Sequence, residues 1–203
     1  MKAELAWANS MFRSATTFNA LMCWRRTIAA AAATLVAFIP LHAQVSREEA
    51  LAQIYPGASI HAERVFLTEA EKKKAAALSG GEIPTSLIAR YIATTGGKII
   101  GRAYVDTHIV RTKNESLLIC LDETGKIKRI EVIAFLEPPE YQANAAWYNQ
   151  FRDKTLNNDL NLHRSVRPIA GATLTATATT RAARRVLAID QILTRLSGAE
   201  RRP

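Results

Sequence analysis

Apolar residues recur along the chain at two spacings, and each spacing predicts one type of secondary structure. Four short runs rich in β-branched and aromatic residues, separated by turn residues, cover Leu87–Ala93, Ile99–Val110, Ser116–Asp122 and Lys126–Phe135. They predict an antiparallel meander. After it, three- and four-residue steps predict a long helix from about Thr175 to Leu196. Its apolar stripe, which should face the sheet, is Ala178, Ala182, Val186, Ile189 and Leu193.

Two capping patterns predict shorter helices before the meander. Ser46 with Glu49 precedes one short helix, and Thr68 with Glu71 precedes another, separated by a strand over 58–67. We expect a further helix with an apolar face around Trp147 after the meander. The predicted fold class is therefore α+β: an antiparallel sheet meander packed by helices, with a long C-terminal helix.

The first 43 residues have the pattern of a secretory signal. Arg25 and Arg26 are followed by an apolar run from Ala29 to Phe38, then Pro40, and the run is short for a membrane span. We expect cleavage after Ala43, an uncleaved anchor being the alternative, and a periplasmic or membrane-facing location. The true start of translation is Met1, Met11 or Met22. The expected division is a signal peptide 1–43, an extension of helix and strand 44–87, a main domain 88–197 and a tail 198–203.

Charge and cysteine content narrow the function classes. Residues 1–43 hold four of the 27 basic and one of the 18 acidic residues, so 23 basic and 17 acidic side chains remain, a net charge of +6. This charge favours acidic partners or an anionic surface. Cys120 is the one cysteine after residue 43, which excludes an internal disulfide or a cysteine metal site there; its apolar neighbours indicate a buried strand thiol.

The turn at 170–175 carries the clearest chemical signal. Gly171 lets the backbone come close to a ligand, and the small side chain of Ala172 keeps the site narrow. Thr173 presents a hydroxyl where the last helix begins. The first turn of a helix has unpaired amides and a partial positive charge, so it favours a phosphate. Arg181 or Arg184 could add charge. Simple helix capping by Thr173 or Thr175 is the alternative.

The order of these features resembles the FMN-binding domain family, which includes the C subunit of the sodium-translocating NADH:quinone reductase and the G subunit of the Rnf complex. The resemblance covers about residues 88–196; its most specific part is Ala170-Gly171-Ala172-Thr173-Leu174-Thr175, and Leu136-Glu137-Pro138-Pro139 is similar to the family's Glu-Thr-Pro-Gly segment. It implies an electron-transfer protein whose FMN phosphate is joined to Thr173 by a flavin transferase. The implied partners are redox proteins or a membrane redox complex, and not nucleic acid. The implied FMN-binding residues are Thr173, Gly171, Ala172, Leu174, Thr175, Glu137 and Pro138, and to these we add Arg167, whose charge would lie near the phosphate.

Two positions depart from the family pattern. Ala170 replaces a frequent Ser or Thr, and Arg167 replaces a frequent acidic residue. Both bear on recognition by the transferase, so two alternatives stay open. One is a non-covalent FMN-dependent periplasmic reductase with Arg167 near the phosphate. The other is a cofactor-free envelope module that binds through basic residues, namely Arg181, Arg184, Arg185, Arg201 and Arg202.

No other pattern predicts a catalytic or metal site. Asp106 and His108 share a strand face, but no Ser or Cys nucleophile motif accompanies them. We therefore interpret His108 as exposed or satisfied by its neighbours. His61, His108 and His163 lack metal-ligand spacing. We assign no catalytic residue and no metal ligand, and expect an electron carrier more than a free-standing enzyme.

Overall fold

The computed structural model describes residues 46–199, which form one folded unit. The expected signal peptide 1–43 and the last four residues of the expected tail lie outside the described residues. The described part of the expected extension 44–87 contributes two helices and a strand, and this strand belongs to the same sheet as the expected main domain. The described chain has no helix that is both long and apolar enough to cross a membrane.

The sheet has five antiparallel strands in the order of the chain. They are β1 (Ser59–Phe66), β2 (Leu87–Thr95), β3 (Lys98–Ile109), β4 (Asn114–Asp122) and β5 (Ile127–Phe135). Each strand pairs with the next one in the chain. Short turns connect the strands from β2 to β5, and a segment that contains a helix connects β1 to β2. The meander and the α+β fold class are confirmed.

Within residues 46–199, four α-helices accompany the sheet. They are α1 (Arg47–Ile54), α2 (Glu69–Ser79), α3 (Ala145–Tyr148) and α4 (Thr173–Ala199). The expected N-cap at Ser46 and the expected capping box at Thr68 are present, and Ser46 also forms a capping box with Glu49. The expected helix around Trp147 is shorter than its apolar pattern indicates: α3 has four residues and continues as a 3-10 turn at Asn149–Phe151. Helix α4 starts two residues before the expected position and ends at Ala199, inside the expected tail.

The sheet has a separate apolar core on each face. On one face, α4 and α2 pack over alternate residues of β3, β4 and β5, with Leu117, Ile119 and Leu187 among the buried side chains. On the other face, α1 covers a smaller core that contains Tyr55, Leu118 and Cys120. The expected stripe of α4 faces inward: Ala182, Val186, Ile189 and Leu193 are all less than 7 % exposed. Ala178 is half-buried.

One glycine sets the distance between α1 and the sheet. The phenol ring of Tyr55 lies against Gly101, where an added Cβ would stand 2.3 Å from the Tyr55 Cε1 atom. The Tyr55 hydroxyl donates hydrogen bonds to the carbonyls of Arg102 and Leu121. Helix α1 is therefore joined to two strands by one buried side chain.

Candidate functional site

The start of α4 presents several unused polar groups. Gly171 has a φ of 79°, a left-handed conformation that favours glycine, and the space where a Cβ would project is open. Within the described chain, the amides of Thr173, Leu174 and Thr175 have no hydrogen-bond acceptor. Such amides attract an anion, and the partial positive charge at the start of this 27-residue helix adds to the attraction.

The two threonines of the predicted motif have different roles. Thr173 is exposed, and its hydroxyl makes only a long hydrogen bond, 3.4 Å, to the carbonyl of Ile169. Thr175 is 1 % exposed, and its hydroxyl donates a 2.6 Å hydrogen bond to the carbonyl of Tyr141. The Thr173 hydroxyl is therefore available to a ligand. The Thr175 hydroxyl is used internally, so only its amide faces the site.

The Glu-Pro-Pro segment lies beside the turn because of that internal bond. Pro138 is exposed and precedes the 3-10 turn Pro139–Tyr141, whose last carbonyl accepts from Thr175. The Tyr141 ring packs under the guanidinium of Arg111, 4.3 Å from the ring centre. Two segments that are 34 residues apart in sequence are thus brought into contact.

Glu137 has a structural role that the sequence did not reveal. Its carboxylate is buried and accepts hydrogen bonds from the amides of Arg111, Thr112 and Lys113 at 2.6–3.1 Å. The Thr112 amide, followed by that of Lys113, holds the pKa of Glu137 below its usual value. This carboxylate stays ionised and fixes the β3–β4 connection beside Tyr141. Its Oε1 is therefore occupied by the protein's own amides.

Arg167 lies on the other side of the turn. Its carbonyl accepts a 2.8 Å hydrogen bond from the Trp147 indole, and its amide donates to the Gln150 side chain at 2.7 Å. Its guanidinium is exposed and has no partner in the described chain. The backbone here is fixed, whereas the charge remains free to meet an anion.

Apolar surface accompanies these polar groups. Leu174 is 53 % exposed and Leu136 is 57 % exposed, although both lie beside well-anchored neighbours. Ala172 is buried under the turn. The turn therefore offers anion-binding amides, a free hydroxyl and the exposed side chain of Leu174, which suits a ligand with a phosphate and an apolar part.

Arginines of α4 contribute less free charge than the sequence indicates. Arg184 donates to the carbonyls of Ser79, Asn157 and Leu160. Arg185 forms a two-pronged ion pair with Asp106 of β3 at 2.7 and 3.0 Å. Arg181 is exposed. Arg201 and Arg202 lie outside the described residues.

His108 is buried and satisfied, one of the two interpretations given by the sequence. Its two ring nitrogens lie 2.9 Å from Asp106 Oδ1 and 3.0 Å from Glu115 Oε2. The sequence placed Asp106 and His108 on one strand face but gave no sign of Glu115, which comes from β4. Nor did it indicate that this polar face lies under α4.

Comparisons with models of protein families, with curated proteins and with solved structures find no match to this chain.

Proposed function

We propose that this protein is an exported FMN-binding electron-transfer protein whose flavin is joined through its phosphate to Thr173. The observation that carries the proposal is the hydrogen bond from Thr175 to Tyr141. It brings the Gly-Ala-Thr turn to the Glu-Pro-Pro segment, the two parts of the sequence that resemble the FMN-binding domain family.

The residues at the turn have the chemistry that FMN binding needs. The amides of Thr173, Leu174 and Thr175 would hold the phosphate, with the free Arg167 guanidinium as an additional cation. The exposed side chains of Leu174 and Leu136 would offer apolar contact to the flavin ring system. Bound FMN supplies the redox chemistry, and the chain holds and orients it.

Attachment at Thr173 needs an exposed hydroxyl and a separate enzyme. The flavin transferase would supply FMN as an activated phosphoanhydride. The Thr173 oxygen bonds to the FMN phosphorus and loses its proton to a base of the transferase, while the anhydride bond at that phosphorus breaks and the other phosphate group of the donor leaves with the bonding electron pair. Of the hydroxyls at this turn, that of Thr173 is the accessible one; those of Thr175 and Thr177 donate to backbone carbonyls. The electron donors and acceptors would be redox proteins or a membrane redox complex. The net positive charge of the chain would favour binding to partners with an acidic surface.

A visible spectrum and three variants test the proposal. The protein, co-expressed with a flavin transferase, should be yellow, and the colour should remain with the chain after denaturation. Thr173→Ala should lose this colour, Thr173→Ser should keep part of it, and the matched control Thr177→Ala should keep all of it.

Three outcomes would contradict the proposal in different ways. Colour that is released on denaturation from the wild-type protein supports the non-covalent reductase. Colourless protein that does not bind added FMN removes the flavin hypothesis altogether and leaves the cofactor-free module. Colour retained in Thr173→Ala would move the attachment to another residue.

A further inference from the structure

A closed polar cluster lies between the sheet and α4, beneath the helix that begins at Thr173. At its centre is the His108 ring, with Asp106 on its own strand and Glu115 on β4. Glu115 is 0 % exposed, although it is a carboxylate. Burying such a group costs several kcal/mol unless it is hydrogen-bonded and its charge is balanced.

Helices α3 and α4 complete the cluster. Arg185 of α4 pairs with Asp106, and the Thr179 hydroxyl of α4 lies 3.5 Å from Glu115 Oε2. The Tyr148 hydroxyl of α3 donates to Glu115 Oε1 at 3.1 Å. Burial, followed by the charge of Glu115, raises the pKa of Tyr148, so this phenol remains a donor.

The neighbouring strands β2 and β5 place no unpaired charged side chain beside Asp106, His108 and Glu115 in the described chain. The residue of β5 in register with Glu115 is Phe135. On β2, the charged residue on this face is Arg90, which is in register with Tyr104 and is paired with Glu63 of β1. The charge balance of the cluster therefore depends on Asp106, Glu115, Arg185 and His108.

The contacts of the His108 ring favour its protonated form. A neutral imidazole has one N–H donor and one lone pair, whereas an imidazolium has two donors. Both ring nitrogens face a carboxylate oxygen at about hydrogen-bond length, so a neutral ring would turn a lone pair towards one carboxylate. With a protonated ring, two positive groups balance two negative ones. With a neutral ring, the cluster has one negative charge without a counter-charge.

We propose that His108 is an imidazolium that joins α4 and α3 to the sheet, and that its deprotonation loosens this joint. The consequence reaches the candidate site, because α4 begins with Thr173. Tyr148 also packs edge-on against Trp147, which holds the carbonyl of Arg167. His108 is thus a positioning residue for the turn. This inference does not require that the turn binds FMN.

The direction of the pH effect follows from linkage. Burial alone would lower the pKa of His108, but the hydrogen bonds to Asp106 and then Glu115 outweigh it and raise the pKa. A group with a raised pKa in the folded state contributes stability below its unfolded pKa, about 6.5 for histidine, and this contribution is lost as the pH rises through the folded pKa. The attachment of α3 and α4 to the sheet should therefore weaken as the pH rises through the folded-state pKa of His108.

The first test is a titration of the wild-type protein by NMR of its histidine rings. Long-range proton–nitrogen correlations distinguish an imidazolium from the neutral tautomers. His61, which is exposed on β1, is assigned separately so that its signals are not taken for those of His108. His108 should stay cationic above about pH 6.5, the ordinary pKa of a histidine side chain. The proposal is overturned if the His108 ring loses its proton at or below about pH 6.5.

The second test is urea unfolding from about pH 6 to about pH 9 with three variants. The midpoint of the wild-type protein should fall with rising pH. His108→Gln should lower the midpoint at about pH 6 and remove the alkaline decline, because no charge is left to lose. His61→Gln should leave the wild-type profile unchanged.

Glu115→Gln separates charge balance from simple packing. With Glu115 uncharged, a neutral His108 leaves only the balanced pair of Asp106 and Arg185. This variant should show a smaller alkaline decline than wild type, because Asp106 still faces the His108 ring but Glu115 no longer does, and it should be no more stable than wild type at about pH 6. An alkaline decline that persists unchanged in both His108→Gln and Glu115→Gln overturns the proposal. If His108→Gln does not fold, the NMR titration and Glu115→Gln still decide the matter.

Discussion

Replacing Thr175 by valine tests how the candidate site is assembled. Valine keeps the shape of the side chain and removes only the hydroxyl that donates to the carbonyl of Tyr141 at 2.6 Å. Thr175 is 1 % exposed, and this carbonyl, which belongs to the half-buried Tyr141, has no other donor in the described chain. Removing the donor of such a shielded bond costs about 1–3 kcal/mol.

The expected loss can be measured by urea and thermal unfolding of the purified protein. A loss of about 2 kcal/mol lowers the folded-to-unfolded ratio about 30-fold. For a chain of this size the melting temperature should fall by about 4–8 °C. Because the bond joins the Gly-Ala-Thr turn to the Pro139–Tyr141 turn, we also expect less FMN to be incorporated in the variant.

The matched control is Thr177→Val. The Thr177 hydroxyl donates to the carbonyl of Thr173 within the same helix, on a half-buried surface, so its removal should change stability by less than about 0.5 kcal/mol. Equal losses in the two variants, or a Thr175→Val protein as stable as wild type, would refute the claim that the Thr175–Tyr141 bond holds the two segments together.

Three further predictions concern the framework around the site. Asp190→Ala should lower the free energy of unfolding by about 3–5 kcal/mol in chemical denaturation, because it leaves the buried guanidinium of Arg102 without its 2.5 Å partner; Asp190→Asn should lose less. Gly101→Ala should cost about 1–3 kcal/mol in the same assay, since the new Cβ overlaps the Tyr55 ring. Below about pH 4, acid unfolding should be sensitive to Asp106: burial raises its pKa, but the hydrogen bonds from His108 and then Arg185 outweigh burial and lower it, so its stabilising effect is present above its unfolded pKa and lost as the pH falls through the folded one. Asp106→Asn should flatten the acid limb of the stability profile, and an unchanged limb would contradict this assignment.

The sequence predicted those parts of the fold that depend on local signals. The capping boxes at Ser46 and Thr68 are made by neighbouring residues, and both helices begin where the pattern indicates. The strands follow from β-branched runs between turn residues. The stripe of α4 follows from helical periodicity, with Ala182 and Val186 deeply buried. These features need no knowledge of distant contacts.

The sequence did not reveal features that depend on contacts between distant segments. Strand β3 carries Arg102, Tyr104, Asp106 and His108 on the face under α4, a pattern that would ordinarily indicate a solvent-exposed face. Their polar groups are satisfied by residues distant in sequence: Asp190 pairs with Arg102 and accepts from Tyr104, and Arg185 pairs with Asp106. The His108 ring lies between Asp106 and Glu115 of the neighbouring strand. The pairing of Arg185 with Asp106 could not be predicted from the sequence, because the two residues are far apart along the chain.

The candidate site likewise contains some features that local sequence predicts and others that depend on distant segments. The free Thr173 hydroxyl and the left-handed Gly171 follow from the sequence of the turn. The internal use of Thr175 and Glu137 does not, because their partners, Tyr141 and the amides at 111–113, come from other segments. Residue type indicated a possible ligand contact, whereas the fold assigns these two side chains to the support of the turn.

Mass spectrometry of the turn tests the central claim most directly. Trypsin cleaves poorly between arginine and proline, so digestion should release residues 165–181, which contain Thr173, as one peptide. From protein co-expressed with a flavin transferase, this peptide should carry the added mass of one FMN less water, with fragment ions that place it on Thr173. An unmodified peptide from a colourless protein that binds no FMN would contradict the account.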